Sequence, residues 1–262
     1  MNGKVIVITG ASGGIGAALA ELVAGRGARV TLLARREKEL REVAARCGPQ
    51  ALPIVSDVTR REEVEGALAA TLARFGHVDV WVNNAGRGIT RLVSELTDQD
   101  FDEMMQVNVK SALYGMQAVL PHFRARGRGH IINVSSMLGR LPFAISRSAY
   151  SAAKHALNSL TANFRMELRA DYPGIHVSSV HLGVVATEFG VHARHGGPDS
   201  RQMPGAQTAG EVAQVIVDVI ERPRADVYTR PGAQQMVVGY YAAEDMGLAE
   251  QQPPFLPTRP PR

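Results

Sequence analysis

Tyr150 and Lys154 stand four residues apart in the run Tyr150-Ser151-Ala152-Ala153-Lys154. On a helix that spacing puts both side chains on one face, with Cβ atoms about 5–6 Å apart. A phenol with an ordinary pKa of about 10 is a weak acid at neutral pH. An ammonium about 5 Å away, at an effective dielectric near 20, favours the phenolate by on the order of 3 kcal/mol, roughly two pKa units before desolvation. The pair therefore predicts a tyrosine tuned by its lysine, able to give a proton to a carbonyl oxygen during reduction or take one from a hydroxyl during oxidation. Such chemistry needs a hydride partner. Alone the pair is a weak signal, because a half-buried tyrosine and a surface lysine share many helices.

A second group of residues supplies that partner. Thr9-Gly10-Ala11-Ser12-Gly13-Gly14-Ile15-Gly16 lies between an apolar, β-branched run and an amphipathic stretch. Glycines there let the backbone turn tightly and approach a pyrophosphate, whose charge meets the free N–H groups and positive dipole of the helix start. Gly10, Gly14, Ile15 and Gly16 are thus candidate cofactor contacts. The loop lacks the Gly-Lys-Ser/Thr ending of a triphosphate-binding loop, which argues against an ATPase. After the second apolar run, where an acid would bind an adenosine ribose, the chain reads Leu33-Ala34-Arg35-Arg36. Arg35 suits a 2′-phosphate, with Ser12 as an additional donor, so NADP(H) is expected over NAD(H). Asp57 and Val58 follow the third run; Asp57 can accept from the adenine amino group, or it can serve the turn before the next helix.

The elements that must hold these residues read as alternating strands and helices. Strands are expected over residues 4–9, 29–34, 51–55, 78–82, 130–134, 175–181 and 227–229, with helices over 15–26, 37–46, from 60, 98–126, 149–170 and 211–221. Thr59-Arg60-Arg61-Glu62 and Thr208-Ala209-Gly210-Glu211 read as capping boxes, and Pro121 as a kink. This alternation predicts an α/β, doubly wound, mostly parallel sheet with helices on both faces. A single domain is expected over residues 1–230, including a polar, glycine-rich loop at 188–207 that could cover a site. The regular pattern ends near Arg230, leaving 231–262 as an extension, partly disordered or packed on the site or on a neighbouring subunit.

Composition narrows the classes further. Hydrophobic residues are 45% and charged residues 21% of the 262, which is globular composition. A single Cys47 cannot form an internal disulfide, and no stretch approaches the roughly 20 apolar residues of a membrane span, so a cytoplasmic protein with no membrane partner is expected. The formal charge of +4 is dispersed, as in Arg35-Arg36-Glu37-Lys38-Glu39, so no nucleic-acid partner is expected. Eight histidines show no metal-ligand spacing, and no metal is expected. His181 reads as a core residue, while Leu138, Phe143, Ile145, Phe189 and His192 mark a region for substrate.

Thr9-Gly10-x-x-x-Gly14-Ile15-Gly16, Asn83-Asn84-Ala85-Gly86, Asn108, Ser135-Ser136 and Tyr150-x-x-x-Lys154 occur in the order found in the short-chain dehydrogenase/reductase family. The chain resembles that family from residue 3 to about 230. The resemblance implies a seven-stranded Rossmann sheet of order 3-2-1-4-5-6-7 and a nicotinamide-dependent oxidoreductase acting on a small carbonyl or alcohol, usually as a homodimer or homotetramer. It implies Tyr150 as general acid/base, Lys154 holding the nicotinamide ribose, Asn108 completing a proton path, and a serine donating to the substrate oxygen. That role goes to Ser136, with Ser135 one position further from the tyrosine and the gap to Tyr150 one residue longer than usual. Asn84, Ala85 and Gly86 correspond to the segment lining the adenosine, and Asn83 can instead stabilise the sheet centre. In Leu182-Gly183-Val184-Val185-Ala186-Thr187 the family's proline is Leu182, while Gly183, Val185 and Thr187 remain candidates for the nicotinamide amide and diphosphate. The alternative to an enzyme is an NADP-binding sensor or scaffold without turnover.

Overall fold

A computed structural model describes residues 1–255. Its centre is a seven-stranded parallel sheet: β1 (Val5–Thr9), β2 (Arg29–Ala34), β3 (Ala51–Val55), β4 (Val80–Asn83), β5 (Gly129–Ser136), β6 (Ile175–Leu182) and β7 (Asp226–Tyr228), in the order β3-β2-β1-β4-β5-β6-β7. The central strands are apolar throughout because both faces are covered. Ile6 and Ile8 of β1 face one core with Leu19, Val23, Leu40 and Ile216, whereas Val7 faces the other with Trp81, Val119 and Phe123. α1 (Gly14–Gly25), α2 (Glu37–Cys47) and α7 (Ala209–Glu221) supply the first layer. α3 (Arg61–Phe75), α5 (Ser111–Arg126) and α6 (Ser148–Leu168) supply the second.

Several local features differ from the sequence expectations. Thr208 and Glu211 do form a capping box on α7, but Thr59 does not cap α3. Its hydroxyl donates to Asp57 Oδ1 at 2.7 Å, Arg60 occupies the cap position, and the Glu63 carboxylate accepts from the Asp57 N–H. The threonine hydroxyl is taken up by the Asp57 turn and so is not available to cap the helix. The helix expected over 98–126 is interrupted, though not at Pro121, which lies inside an unbroken α5. α4 (Asp98–Met105) passes into a π-helical turn, Gln106–Lys110, that carries Asn108. Such turns widen the backbone ring by one residue and recur at functional sites. Beyond Arg230 the structure adds α8 (Ala233–Tyr241) and α9 (Met246–Ala249). Val237 and Tyr240 of α8 pack on Met137 and Leu141. Of the extension, residues 256–262 lie outside the described part. No described helix is long and apolar enough to cross a membrane.

One buried polar chain locks α6 to the sheet. Trp81 Nε1 donates to Asn83 Oδ1, Asn83 Nδ2 to Asn133 Oδ1, and Asn133 Nδ2 to Thr161 Oγ1, each at 2.8 Å. Asn83 is therefore a sheet-centre residue, and α6 is held at a set height against β5. Asn133→Ala would leave both Asn83 and Thr161 short of a partner. A loss of about 3 kcal/mol is expected, read as a lower denaturant midpoint with an unchanged slope.

Candidate active site

The C-terminal ends of the parallel strands gather every loop that the sequence marks. Gly10 ends β1 with φ +68°, and a Cβ there would lie 2.8 Å from Ala85 Cα. Gly16 is equally constrained, since a Cβ would strike the Gly10 carbonyl and come within 2.7 Å of Asn84 Nδ2. The Asn84 amide donates to the carbonyls of Thr9 and Gly10, while Thr9 Oγ1 accepts from the backbone N–H groups of Asn84 and Ala85. The loop after β4 is thereby stitched to the glycine turn. Gly13 caps α1 without a side-chain hydrogen bond, so no side chain occupies the donors of the Gly14-Ile15-Gly16 turn. Thr187 faces them: its Cγ2 lies 3.3 Å from where a Gly14 Cβ would stand. A side-chain-free cradle at an uncapped helix start fits the diphosphate of a dinucleotide.

Arg35 is exposed and borders a crevice of about 800 Å³ together with Thr59, Arg87, Gln106, Val107 and Lys110. Arg36, to which the sequence reading gave no role, is the arginine that reaches the glycine turn. Its Nε donates to Ser12 Oγ at 3.2 Å and its guanidinium lies over Gly13. The tandem arginines at the end of β2 were the available signal. Asp57 is engaged in turn chemistry, its Oδ1 accepting from the N–H and hydroxyl of Thr59, and Val58 beside it is buried. Without the usual proline, the loop after β6 is held by other means. Gln207 pairs with Val185 and accepts from the Ala186 N–H at 2.8 Å, while Arg230 packs over Gly183 and donates to the Val184 carbonyl at 3.2 Å.

Tyr150 lies in the first turn of α6 and is 8% exposed. Ser136, at the end of β5, lies near its phenol and works to lower its pKa, while Ser136 Oγ accepts from the Leu138 N–H at 3.1 Å. Ser135 is buried with a hydroxyl that has no partner among the described residues. Lys154 Nζ sits 5.6 Å from the Tyr150 ring centroid and donates to the Val134 carbonyl at 2.9 Å. Asn108 is brought to the same place by the π-helical turn. A Cβ on Gly86 would be 2.8 Å from Asn108 Oδ1 and 3.7 Å from Lys154 Nζ. The Asn108 amide donates to the carbonyls of Arg87 and Met104, and its Oδ1 accepts from the Arg87 N–H.

The electrostatics depart from the expectation of a phenol made more acidic by its lysine. Burial pushes the Tyr150 phenol up to about 12, against the opposing pull of the Ser136 hydrogen bond and the Arg147 guanidinium. Burial also pushes the Lys154 ammonium down to about 8. Desolvation, which disfavours the charged form of each group, outweighs the attraction between them.

Residues 188–207 lie over this centre. The Phe189 ring meets the Tyr150 ring edge-on at 5.5 Å, and Leu138 packs with the same cluster. Phe143 turns instead toward Met137, Leu141 and Tyr240, while Ile145 and His192 are exposed. The loop is latched by ion pairs that the sequence did not reveal. Arg194 joins Asp100 and Glu103, Arg87 joins Glu103, and His195 contacts Asp100 at 2.8 Å. His181 is fully buried, bonded to Asp226 at 3.0 Å and stacked on Tyr228. Among the described residues no group of three His, Cys, Asp or Glu side chains could hold a metal.

The model of the short chain dehydrogenase family matches residues 4–196. An uncharacterized oxidoreductase of Staphylococcus epidermidis is 35% identical over 184 residues, 70% of this chain and 79% of its own length. The uncharacterized oxidoreductase YxnA of Bacillus subtilis is 33% identical over 252 residues, 93% of this chain and 69% of its own length. Among solved structures, an alcohol dehydrogenase from the archaeon Thermococcus sibiricus, complexed with 5-hydroxy-NADP, superposes with a TM-score of 0.75 at 30% identity, covering 86% of this chain and 95% of its own. A short-chain dehydrogenase/reductase from Burkholderia phymatum in complex with NAD gives a TM-score of 0.85 at 27% identity, covering 100% and 98%. The sheet order, the glycine cradle and these likenesses agree: the chain belongs to the short-chain dehydrogenase family and is an oxidoreductase.

Proposed function

We propose that the protein is an NADPH-preferring carbonyl reductase, or the corresponding alcohol dehydrogenase, with Tyr150 as its general acid/base. The observation that carries this reading is the placement of Lys154 Nζ 5.6 Å from the ring of the buried Tyr150, with Ser136 at the end of β5 beside it and Asn108 Oδ1 and Lys154 Nζ both next to Gly86. The bound dinucleotide supplies or accepts the hydride. In reduction Tyr150 gives its proton to the carbonyl oxygen, and Ser136 donates a hydrogen bond to that oxygen as charge develops on it. Lys154 holds the ribose, and Asn108 fixes the segment around Gly86 that faces it. The glycine turn and Thr187 take the diphosphate, with Asn84, Ala85, Asp57 and Val58 on the adenosine side. The protein is read as cytoplasmic on its single cysteine and its lack of a long apolar stretch, and as a homodimer or homotetramer on the family resemblance.

The preference for NADPH rests on Arg35, with Arg36 and Ser12 beside it. Relatives bind an NADP analogue or NAD, so the choice belongs to residues at the end of β2 rather than to the fold. A screen of nicotinamide absorbance over ketones, aldehydes and quinones, run with each cofactor, tests the activity. Arg35→Asp is expected to lower kcat/KM for NADPH by about 100-fold and to change that for NADH by no more than about threefold. Equal losses with both cofactors would remove Arg35 from the choice.

A further inference from the structure

Arg147 opens α6 three residues before Tyr150, and it is the charged group beside the phenol that the chemistry above does not use. Its guanidinium is half-buried under the loop after β4 and the 188–207 loop. A Cβ on Gly88 would stand 3.2 Å from Arg147 Nη1 and 2.9 Å from Phe189 Cε1, and one on Gly197 would stand 3.0 Å from Nη2. Phe189 in turn lies edge-on against Tyr150. The guanidinium, the aromatic edge and the catalytic ring therefore gather around one point.

What Arg147 lacks is a counter-charge. The neighbouring arginines of this region are all paired: Arg87 with Glu103, Arg91 with Glu95 and Asp100, and Arg194 with Asp100 and Glu103. Among the described residues Arg147 has no carboxylate partner, and its side chain makes one hydrogen bond, from Nη1 to the Ile89 carbonyl at 3.1 Å. Burial works against its charge, while Nε and Nη2 are not among the buried atoms without a partner, so that edge stays open to solvent. The bond at Nη1 leaves the Nε and Nη2 edge free of protein partners. That edge offers two parallel N–H groups, the fork that matches a carboxylate.

We infer that Arg147 binds a carboxylate on the substrate, so that the carbonyl compound presented to Tyr150 is a keto acid or, in the other direction, a hydroxy acid. This assignment rests on the reductase reading of the same site. It makes Arg147 a specificity residue, with the apolar edge of Phe189 receiving the chain between carboxylate and carbonyl.

The test pairs keto acids of increasing chain length with their methyl esters, for the wild type, Arg147→Met and Arg147→Lys. The wild type should prefer the best acid over its ester. Arg147→Met should lower kcat/KM for that acid by about 100-fold and for the ester by about threefold, and Arg147→Lys should restore part of the acid preference. Wild-type indifference to the charge, or equal losses on acid and ester in a variant that keeps its circular dichroism, would overturn the assignment. Calorimetric titration of the same acids onto the NADP⁺-saturated protein separates this failure from failure of the reductase reading. Binding that is lost in Arg147→Met upholds Arg147 even where no turnover is seen; absence of acid binding to the wild type rejects it.

Discussion

Tyr150→Phe is expected to lower kcat for carbonyl reduction by about 10³- to 10⁴-fold while changing NADPH affinity by no more than about threefold. The substitution removes one oxygen and keeps the ring that packs on Phe189 and sits beside Lys154 Nζ. Ser136 retains its bond from the Leu138 N–H, so its rotamer has a reason to persist. The loss should therefore fall on kcat and leave cofactor binding, measured by nicotinamide fluorescence, close to wild type. With the phenol pushed up to about 12 by burial, Tyr150 is protonated throughout the neutral range, which is the state an acid needs for reduction. Oxidation needs the opposite state, so its rate should climb with pH where that of reduction does not. A variant retaining a tenth or more of wild-type kcat would take the proton transfer away from Tyr150.

The fold was legible because parallel strands buried on both faces read as continuous apolar runs, and the glycine turn marked the first crossover. The Tyr150 to Lys154 spacing was legible for a similarly local reason, one helical turn. What escaped depends on partners distant in sequence. α8 has only a short apolar face, and the residues that bury it, Met137 and Leu141, belong to the segment after β5. The π-helical turn that delivers Asn108 leaves no mark in composition, because it joins α4, which packs on α6, to α5, which packs on the sheet. Arg36 and Arg147 look like any surface arginine until the structure shows one seated on Ser12 and the other without a carboxylate. The sign of the Tyr150 shift was hidden for the same reason, since desolvation is a property of packing and not of spacing.

Lys154→Met should make the protein more stable while removing most of its turnover. The ammonium is 4% exposed, its one hydrogen bond goes to the Val134 carbonyl, and no carboxylate pairs with it among the described residues. Burial lowers its pKa from 10.5 to about 8, so between those values the unfolded chain binds more protons than the folded one and stability rises with pH. Below about pH 8 the full penalty applies, on the order of 3 kcal/mol at neutral pH. Methionine matches the stem and carries no charge. After about 1 kcal/mol for the lost bond, a net gain of about 2 kcal/mol is expected, a rise in Tm of roughly 4–8 °C. Turnover should fall by at least about 100-fold, because the site loses the group that holds the ribose and the charge beside the phenol. In the wild type, kcat/KM for reduction should decline above about pH 8 as the ammonium is lost, and the residual activity of the variant should lack that decline. A Met variant that melts below the wild type would mean that Lys154 supports the fold, and the case for its retention as a functional group would fail. If instead stability and activity move in opposite directions, the buried cation is kept at the expense of the fold for its place beside Tyr150, as a site built for chemistry requires.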